Sequence, residues 1–251
     1  MARRHTSRHA AGRSERIGRS EIHDTSCCKV SVNLSADSMA DRDIVSDVVA
    51  YYEAKLAAHG ATARGVDWKD DASQTKRFEQ LARGLGFGEP IQRSSILDFG
   101  CGYGALLPFL QEHGFKGSYV GYDRSSDMVA QAQQAHGRVA GATFTSDWES
   151  VAAADFVVAS GVFNVRLGVS DGVWLDYVID TLADLNAKAT MGWAANFLTG
   201  YSDEDRKRPD LYYADPATIF DWCKRNASRW VCLLHDYELY EFTISVLRRP
   251  R

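Results

Sequence analysis

The sequence predicts an α/β protein: a doubly wound, mostly parallel seven-stranded sheet with an antiparallel last strand and an N-terminal helical cap. Three observations predict it. From about residue 95, short apolar runs of strand length alternate with segments of helical periodicity, the pattern of a parallel sheet wrapped on both faces. A glycine-rich turn, Asp98-Phe99-Gly100-Cys101-Gly102-Tyr103-Gly104, joins the first such strand to the next helix. The last two apolar runs are joined by too few residues for a crossover, so they must pair antiparallel.

The elements follow in order. Residues 1–40 are rich in Arg, Ser, His and Ala and poor in large apolar residues. Such a segment offers no core to offset its ordering entropy, so a disordered extension is expected, with Met39 as an alternative start. From Asp41, the residues Ile44, Val48, Tyr51, Tyr52 and Leu56 recur at helical spacing until Gly60. A polar loop, Gly65-Val66-Asp67-Trp68, follows. Ser73 is a cap for a second helix carrying Phe78, Leu81 and Leu85, closed by Gly86 and Gly88-Glu89-Pro90. Residues 41–89 thus read as the helical cap and 90–251 as the main domain. Strands are expected at 95–99, 119–122, 142–145, 156–159, 191–197, 230–234 and 240–247. Helices are expected at 105–111, 127–134, 174–185 and 217–224.

The totals limit what such a chain does. Its 251 residues, 45% of them hydrophobic, suffice for one sizeable core. A formal net charge of -4 argues against a dedicated nucleic-acid surface. The five cysteines form no CxxC pair, and no His/Cys cluster has zinc-ligand spacing, so no metal is expected. They read as free thiols in a reducing compartment. No apolar run approaches the ~18–20 residues of a membrane span, and no secretory h-region follows the basic N-terminus. A cytoplasmic location is the expectation, with oligomeric state open.

Gly100 and Gly102 let the backbone turn sharply and approach a ligand closely. Together with Ala105 they also satisfy the GxGxx(G/A) dinucleotide pattern. Asp98 separates the two uses. A carboxylate at the strand tip repels a pyrophosphate but attracts the ammonium and sulfonium of S-adenosylmethionine. Asp123 ends the second strand about 20 residues later, where a carboxylate accepts hydrogen bonds from both ribose hydroxyls. That feature serves either cofactor, and Arg124 beside it fits a 2′-phosphate, which keeps a nicotinamide dinucleotide as the alternative. Ser146-Asp147-Trp148 follows the third strand.

Asp98 to Gly104 resembles motif I of the class I S-adenosylmethionine-dependent methyltransferases, a Rossmann-like superfamily. The resemblance covers about residues 90–248. It implies S-adenosylmethionine as cofactor, Asp98 near its methionine end, and Asp147 receiving the adenine amino group, with Trp148 offering a ring face. Gly104 completes the glycine turn. The fourth strand ends at Ser160-Gly161-Val162-Phe163-Asn164, where this family places substrate-facing residues. Ser160 is assigned to the cofactor and Asn164 to catalysis. This segment is not the (D/N)PP(Y/F) signature of many nucleic-acid amino methyltransferases, so the acceptor is expected to be a small molecule methylated on O, N or C. Gln74 and Arg77 of the cap form a pair able to reach the cofactor carboxylate.

Open α/β sheets bind ligands beyond the carboxyl ends of their strands. The fifth strand leads into a polar loop, Ser202 to Pro209, and then Tyr212-Tyr213-Ala214-Asp215-Pro216, in which Asp215 caps the next helix. The sixth strand ends at His235-Asp236-Tyr237. His235 is the candidate general base, because its ordinary pKa lies near neutrality, and Tyr237 stands beside it. A His235–Asp236 dyad is disfavoured, since adjacent strand side chains point to opposite faces. A cyclase or lyase acting on S-adenosylmethionine itself, or a non-catalytic partner subunit, fits the same cofactor motif.

Overall fold

The computed structural model describes residues 37–250. Of the expected extension, residues 1–40, the part at 1–36 lies outside them, whereas 37–40 are helical and not part of an extension. Seven helices and seven strands alternate: α1 (Asp37–His59), α2 (Asp71–Leu85), α3 (Glu89–Gln92), β1 (Ile96–Phe99), α4 (Leu106–Glu112), β2 (Tyr119–Tyr122), α5 (Ser126–His136), β3 (Ala142–Thr145), β4 (Ala154–Ala159), α6 (Asp171–Lys188), β5 (Ala189–Leu198), α7 (Pro216–Trp222), β6 (Trp230–Leu234) and β7 (Glu241–Leu247). The sheet order is β3-β2-β1-β4-β5-β7-β6. Strands β1 to β5 pair in parallel, and β7 runs antiparallel to both β5 and β6. The chain winds outward from β1 to β3, then returns to place β4 on the other side of β1. This reversal of direction opens a crevice between the carboxyl ends of β1 and β4.

The pairing register makes that edge level. Phe99 of β1 lies beside Tyr122 of β2 and Ala159 of β4, and Tyr122 lies beside Thr145 of β3. The residues that follow, Gly100, Asp123, Ser146 and Ser160, therefore stand in one row along the sheet's upper edge.

Side chains alternate between two apolar layers, as strand pleating requires. Leu97, Val157, Trp193, Phe197, Phe242 and Ile244 face α6 and α7, where Trp174, Val178, Leu182 and Ile219 cover them. Ile96, Tyr119, Phe144 and Phe156 face the other way, towards α2, α4 and α5. The two N-terminal helices have different roles. Phe78, Leu81 and Leu85 of α2 belong to the sheet's own core. Helix α1 instead lies over the carboxyl edge, with Val45 and Leu56 buried.

Local differences from the sequence reading have identifiable causes. Helix α1 begins at Asp37 rather than Asp41. Helix α2 is capped by Asp70, not Ser73. The Asp70 carboxylate accepts from the Ser73 N–H at 2.8 Å while Ser73 Oγ accepts from the Asp70 N–H, a capping box with Ser73 in its third position. The expected loop at 65–68 is partly a 3₁₀ turn over Ala63–Val66, capped by Thr62. Helix α6 begins three residues before Trp174, because Asp171, Gly172 and Val173 carry no apolar periodicity but still wind. Beyond Trp222 the helix loosens into a π-turn, Cys223–Ala227. Among the described residues no helix is long and apolar enough to cross a membrane.

Candidate active site

The glycine turn is stitched to the end of β2. Gly100 and Cys101 both donate backbone N–H bonds to the Tyr122 carbonyl, at 2.8 and 2.9 Å. Gly100 sits at φ +73°, and a Cβ there would lie 2.6 Å from Val162 Cγ2, so only glycine fits. Asp123 then holds the turn from the neighbouring strand. Its Oδ2 accepts from Gly102 N at 2.8 Å and its Oδ1 from Ser125 N at 2.9 Å. Each oxygen keeps a further lone pair for a ligand. Burial pushes the Asp123 carboxyl above the usual range, and the two backbone donors oppose that push. Ser125 caps α5 through Met128 N and donates its hydroxyl to Glu53 of α1, which ties the overlying helix to the loop.

Above this row lies a cavity, partly open to solvent. Gly100, Gly102, Asp123, Arg124 and Ser160 line it along the sheet edge. Phe99 and Tyr122 form its base, and Val45, Val48, Val49 and Tyr52 of α1 form its roof. Trp68, Val162 and Tyr177 close the side. One polar atom in the wall is unspent: the buried Ser160 Oγ has no hydrogen-bond partner among the described residues. A buried hydroxyl without a partner is costly, so its presence in a cavity wall marks a point where a ligand can bond.

A buried polar chain holds this side wall in place. Trp68 packs on Gly161, where an added Cβ would sit 2.2 Å from Trp68 Cζ2, and Gly161 has φ +74°. The Arg77 guanidinium stacks 3.8 Å from the centre of the Trp68 ring. Arg77 Nε donates to both Glu241 oxygens at 2.8 and 3.0 Å, and Nη2 bonds the same carboxylate. Asn196 Nδ2 donates to Glu241 Oε2 at 2.7 Å, and Asn196 Oδ1 accepts from Gly161 N at 2.8 Å. The chain therefore runs from the cap through α2, β7 and β5 back to the tip of β4. Arg77, Asn196 and Glu241 are all buried.

A family model described as a methyltransferase domain matches residues 73–222, more than half of the chain. The chain belongs to the methyltransferase domain family. "Putative methyltransferase Rv1506c" of Mycobacterium tuberculosis (strain ATCC 25618 / H37Rv) is 52% identical over 153 residues, covering 61% of this chain and 92% of its own length. Magnesium protoporphyrin IX methyltransferase (ChlM) of Synechocystis PCC 6803 with bound SAH superposes with a TM-score of 0.59 at 16% identity, covering 85% of this chain and 100% of that chain. N-methyltransferase NodS of Bradyrhizobium japonicum WM9 gives 0.51 at 14% identity, covering 73% and 100%. At those identities the likeness is one of fold. The expected methyltransferase on a Rossmann-like sheet is borne out, and S-adenosylmethionine is the methyl donor that this family membership implies.

In this methyltransferase the residues singled out from sequence divide into two groups. Gly100, Gly102, Asp123, Arg124 and Ser160 come together on the cavity. The others stand outside its wall. Asp98 points beneath the turn, 2% exposed, where its Oδ2 accepts from the Tyr119 hydroxyl at 2.5 Å. Burial pushes its carboxyl up to about 7, against the Tyr119 bond and with a further push from Asp123. Gly104 serves packing: a Cβ there would meet His136, Phe144 and Ala132 at 3.0 to 3.4 Å. Asp147 is exposed and accepts from Glu149 N at the start of a 3₁₀ turn. Trp148 backs the cavity floor, its ring 4.9 Å from that of Tyr122 and 5.2 Å from that of Phe99. Arg77 is committed to Glu241 and Trp68 rather than free for a cofactor carboxylate, and Gln74 accepts from the Tyr103 hydroxyl.

The expected catalytic residues are likewise elsewhere. Asn164 is buried, its Oδ1 accepting from Leu198 N while its Nδ2 has no partner among the described residues. His235, the residue after β6, is exposed beside Tyr201. In the sheet order β6 lies three strands beyond β4, about 14 Å away at ~4.8 Å per strand. Asp236 pairs with Arg83 of α2 at 2.7 Å, so no His235–Asp236 dyad forms. The Tyr237 hydroxyl lies 3.0 Å from Thr243 Oγ1, and burial raises its pKa. Sequence reading missed Trp68, Asn196 and Glu241 as parts of the wall. A glutamate inside an apolar strand run, with Arg77 as an unspent cation on α2, was the available signal. Among the described residues no group of three or more His, Cys, Asp or Glu is placed to hold a metal ion.

Proposed function

We propose that this methyltransferase holds S-adenosylmethionine in the cavity beneath α1 and transfers its methyl group to O, N or C of a small molecule. The observation that carries the reading is Asp123, a carboxylate fixed by Gly102 N and Ser125 N at the end of β2 and open to the cavity. Its remaining lone pairs suit the two ribose hydroxyls. The unpartnered Ser160 Oγ adds a bond at the tip of β4. Asp98, buried under the turn, supplies an acid below the cationic end of the cofactor.

S-adenosylmethionine supplies a methyl group on a positively charged sulfur, a leaving group already activated. The protein's part is then alignment and exclusion of water rather than covalent chemistry. Helix α1 and Trp68 cover the cavity, and the Glu53–Ser125 bond and the Arg77–Glu241–Asn196 chain fix those covers. Among the described residues no histidine lines the cavity. This favours an acceptor that loses its proton without a fixed imidazole base.

The test is product analysis. The full chain is incubated with S-adenosylmethionine and pools of small-molecule acceptors. S-adenosylhomocysteine released in proportion to methylated acceptor supports the proposal. Methylthioadenosine would point to cyclase or lyase chemistry, and tight binding without turnover in any pool would point to a partner subunit.

A further inference from the structure

A second concavity adjoins the cavity through Trp68, whose side chain lines both. Three separate parts of the chain converge on it. Helix α1 contributes Lys55 and His59, the segment after the 3₁₀ turn contributes Lys69, the turn itself Arg64, and the loop after β5 contributes Arg208. Among the described residues Asp67 is the one acid of the lining. Counting Lys55, Arg64, Lys69 and Arg208 against Asp67 and against Asp210, which pairs with Arg208, leaves two positive charges on a chain whose formal net charge is -4.

The groove is organised. Asp67, at φ +60°, accepts from Lys55 Nζ at 2.7 Å, from the Tyr51 hydroxyl at 2.7 Å and from Arg208 Nη1 at 3.3 Å. One carboxylate thus holds cations from two distant elements side by side. Arg64 and Lys69 make no ion pair among the described residues. Two cations outside any ion pair among the described residues, flanked by two oriented ones, can attract an anion to this place. The inner face of the shared wall abuts Gly161, at the tip of β4, where an acceptor meets the methyl group in the proposed function.

We infer that the acceptor is a small anion, a phosphate ester or a carboxylate, whose charged group binds in the Arg64–Lys69 groove while its reacting atom reaches past Trp68 into the cofactor cavity. This rests on the proposed cofactor site. An anionic handle outside the cavity also suits the chemistry: it orients the acceptor without placing a negative charge beside Asp123 in the cavity wall.

The experiment uses the full chain saturated with S-adenosylhomocysteine and three probes of similar size: phenyl phosphate, benzoate and benzyl alcohol. Saturation-transfer NMR reads binding of each, and calorimetry reads S-adenosylhomocysteine affinity. The expected result is binding of one or both anions and not of the alcohol. That binding should weaken about tenfold between about 50 and about 500 mM NaCl, and about tenfold in Arg64→Ala/Lys69→Ala. Both substituted residues are exposed, and S-adenosylhomocysteine affinity should be unchanged. Preference for phenyl phosphate assigns a phosphate ester, and preference for benzoate a carboxylate. Equal binding of all three probes, none at all, or no change in the variant overturns the inference while leaving the cofactor site standing. So does a loss of S-adenosylhomocysteine affinity in the variant, which would give the groove to the cofactor's own carboxylate. Failure of the wild-type protein to bind S-adenosylhomocysteine would overturn the cofactor site, and this inference with it.

Discussion

Replacing Arg77 by methionine should unfasten the wall of the cavity. Methionine keeps the apolar stem against the core but leaves Glu241, 1% exposed, with Asn196 as its remaining donor among the bonds described. Removing one partner of a buried ion pair typically costs about 3–5 kcal/mol, because the other charge stays buried and uncompensated. At about 2–4 °C per kcal/mol for a domain of this size, the melting temperature should fall by roughly 6–20 °C. Arg77→Met/Glu241→Gln removes the stranded charge and should recover much of that loss, since a glutamine carbonyl still accepts from Asn196. The stack on Trp68 is absent in both variants, so S-adenosylhomocysteine affinity should fall in both, whatever the stability. Urea titrations give the first quantity and calorimetry on folded protein the second. A single variant within about 1 kcal/mol of wild type, with unchanged affinity, would refute the argument that this pair fixes the wall.

Three further outcomes follow from the same geometry. Asp123→Ala should weaken S-adenosylhomocysteine binding tenfold or more, since charge-assisted hydrogen bonds are worth about 1.5–3 kcal/mol each; calorimetry showing wild-type affinity would remove Asp123 from the site. Gly161→Ala must adopt a left-handed conformation costing about 1–2 kcal/mol and displace Trp68, so both melting temperature and cofactor affinity should drop; an unchanged affinity would show that Trp68 is not part of the cofactor wall. The Asp98 carboxyl is raised from 3.8 to about 7 in the fold, so its contribution to stability is full below about pH 4 and is lost as pH rises through about 7. Asp98→Asn lacks that loss and should gain on the wild type between about pH 4 and 8, by at most about 4 kcal/mol. Urea titrations across that range showing a constant difference would contradict the burial argument.

How legible the molecule was depends on the range of the interactions concerned. The strand runs at 119–122, 142–145 and 230–234 match the structure residue for residue, because their apolar pattern and flanking turns are local. Gly100, Gly102 and Asp123 were readable for the same reason: the motif encodes a turn and the strand end beside it. Helix α2 was recognisable as a helix, but its membership of the sheet's core was not, since that depends on contacts with β5 and β7 far along the chain. Trp68, Glu241 and Asn196 are joined across more than a hundred residues, and no local pattern marks them as one unit. His235 illustrates the long-range part. It does stand at the carboxyl end of its strand, but strand order, which sequence alone did not set out, carries β6 to the far edge.

S-adenosylmethionine is proposed to occupy the cavity between α1 and the ends of β1, β2 and β4. A crystal structure of the full chain with S-adenosylhomocysteine tests it most directly. Both ribose hydroxyls should lie within hydrogen-bond distance of Asp123, a ligand atom should bond Ser160 Oγ, and the sulfur should lie on the Trp68 side of the cavity. Density for the ligand outside this cavity, or a ribose that does not touch Asp123, would contradict it.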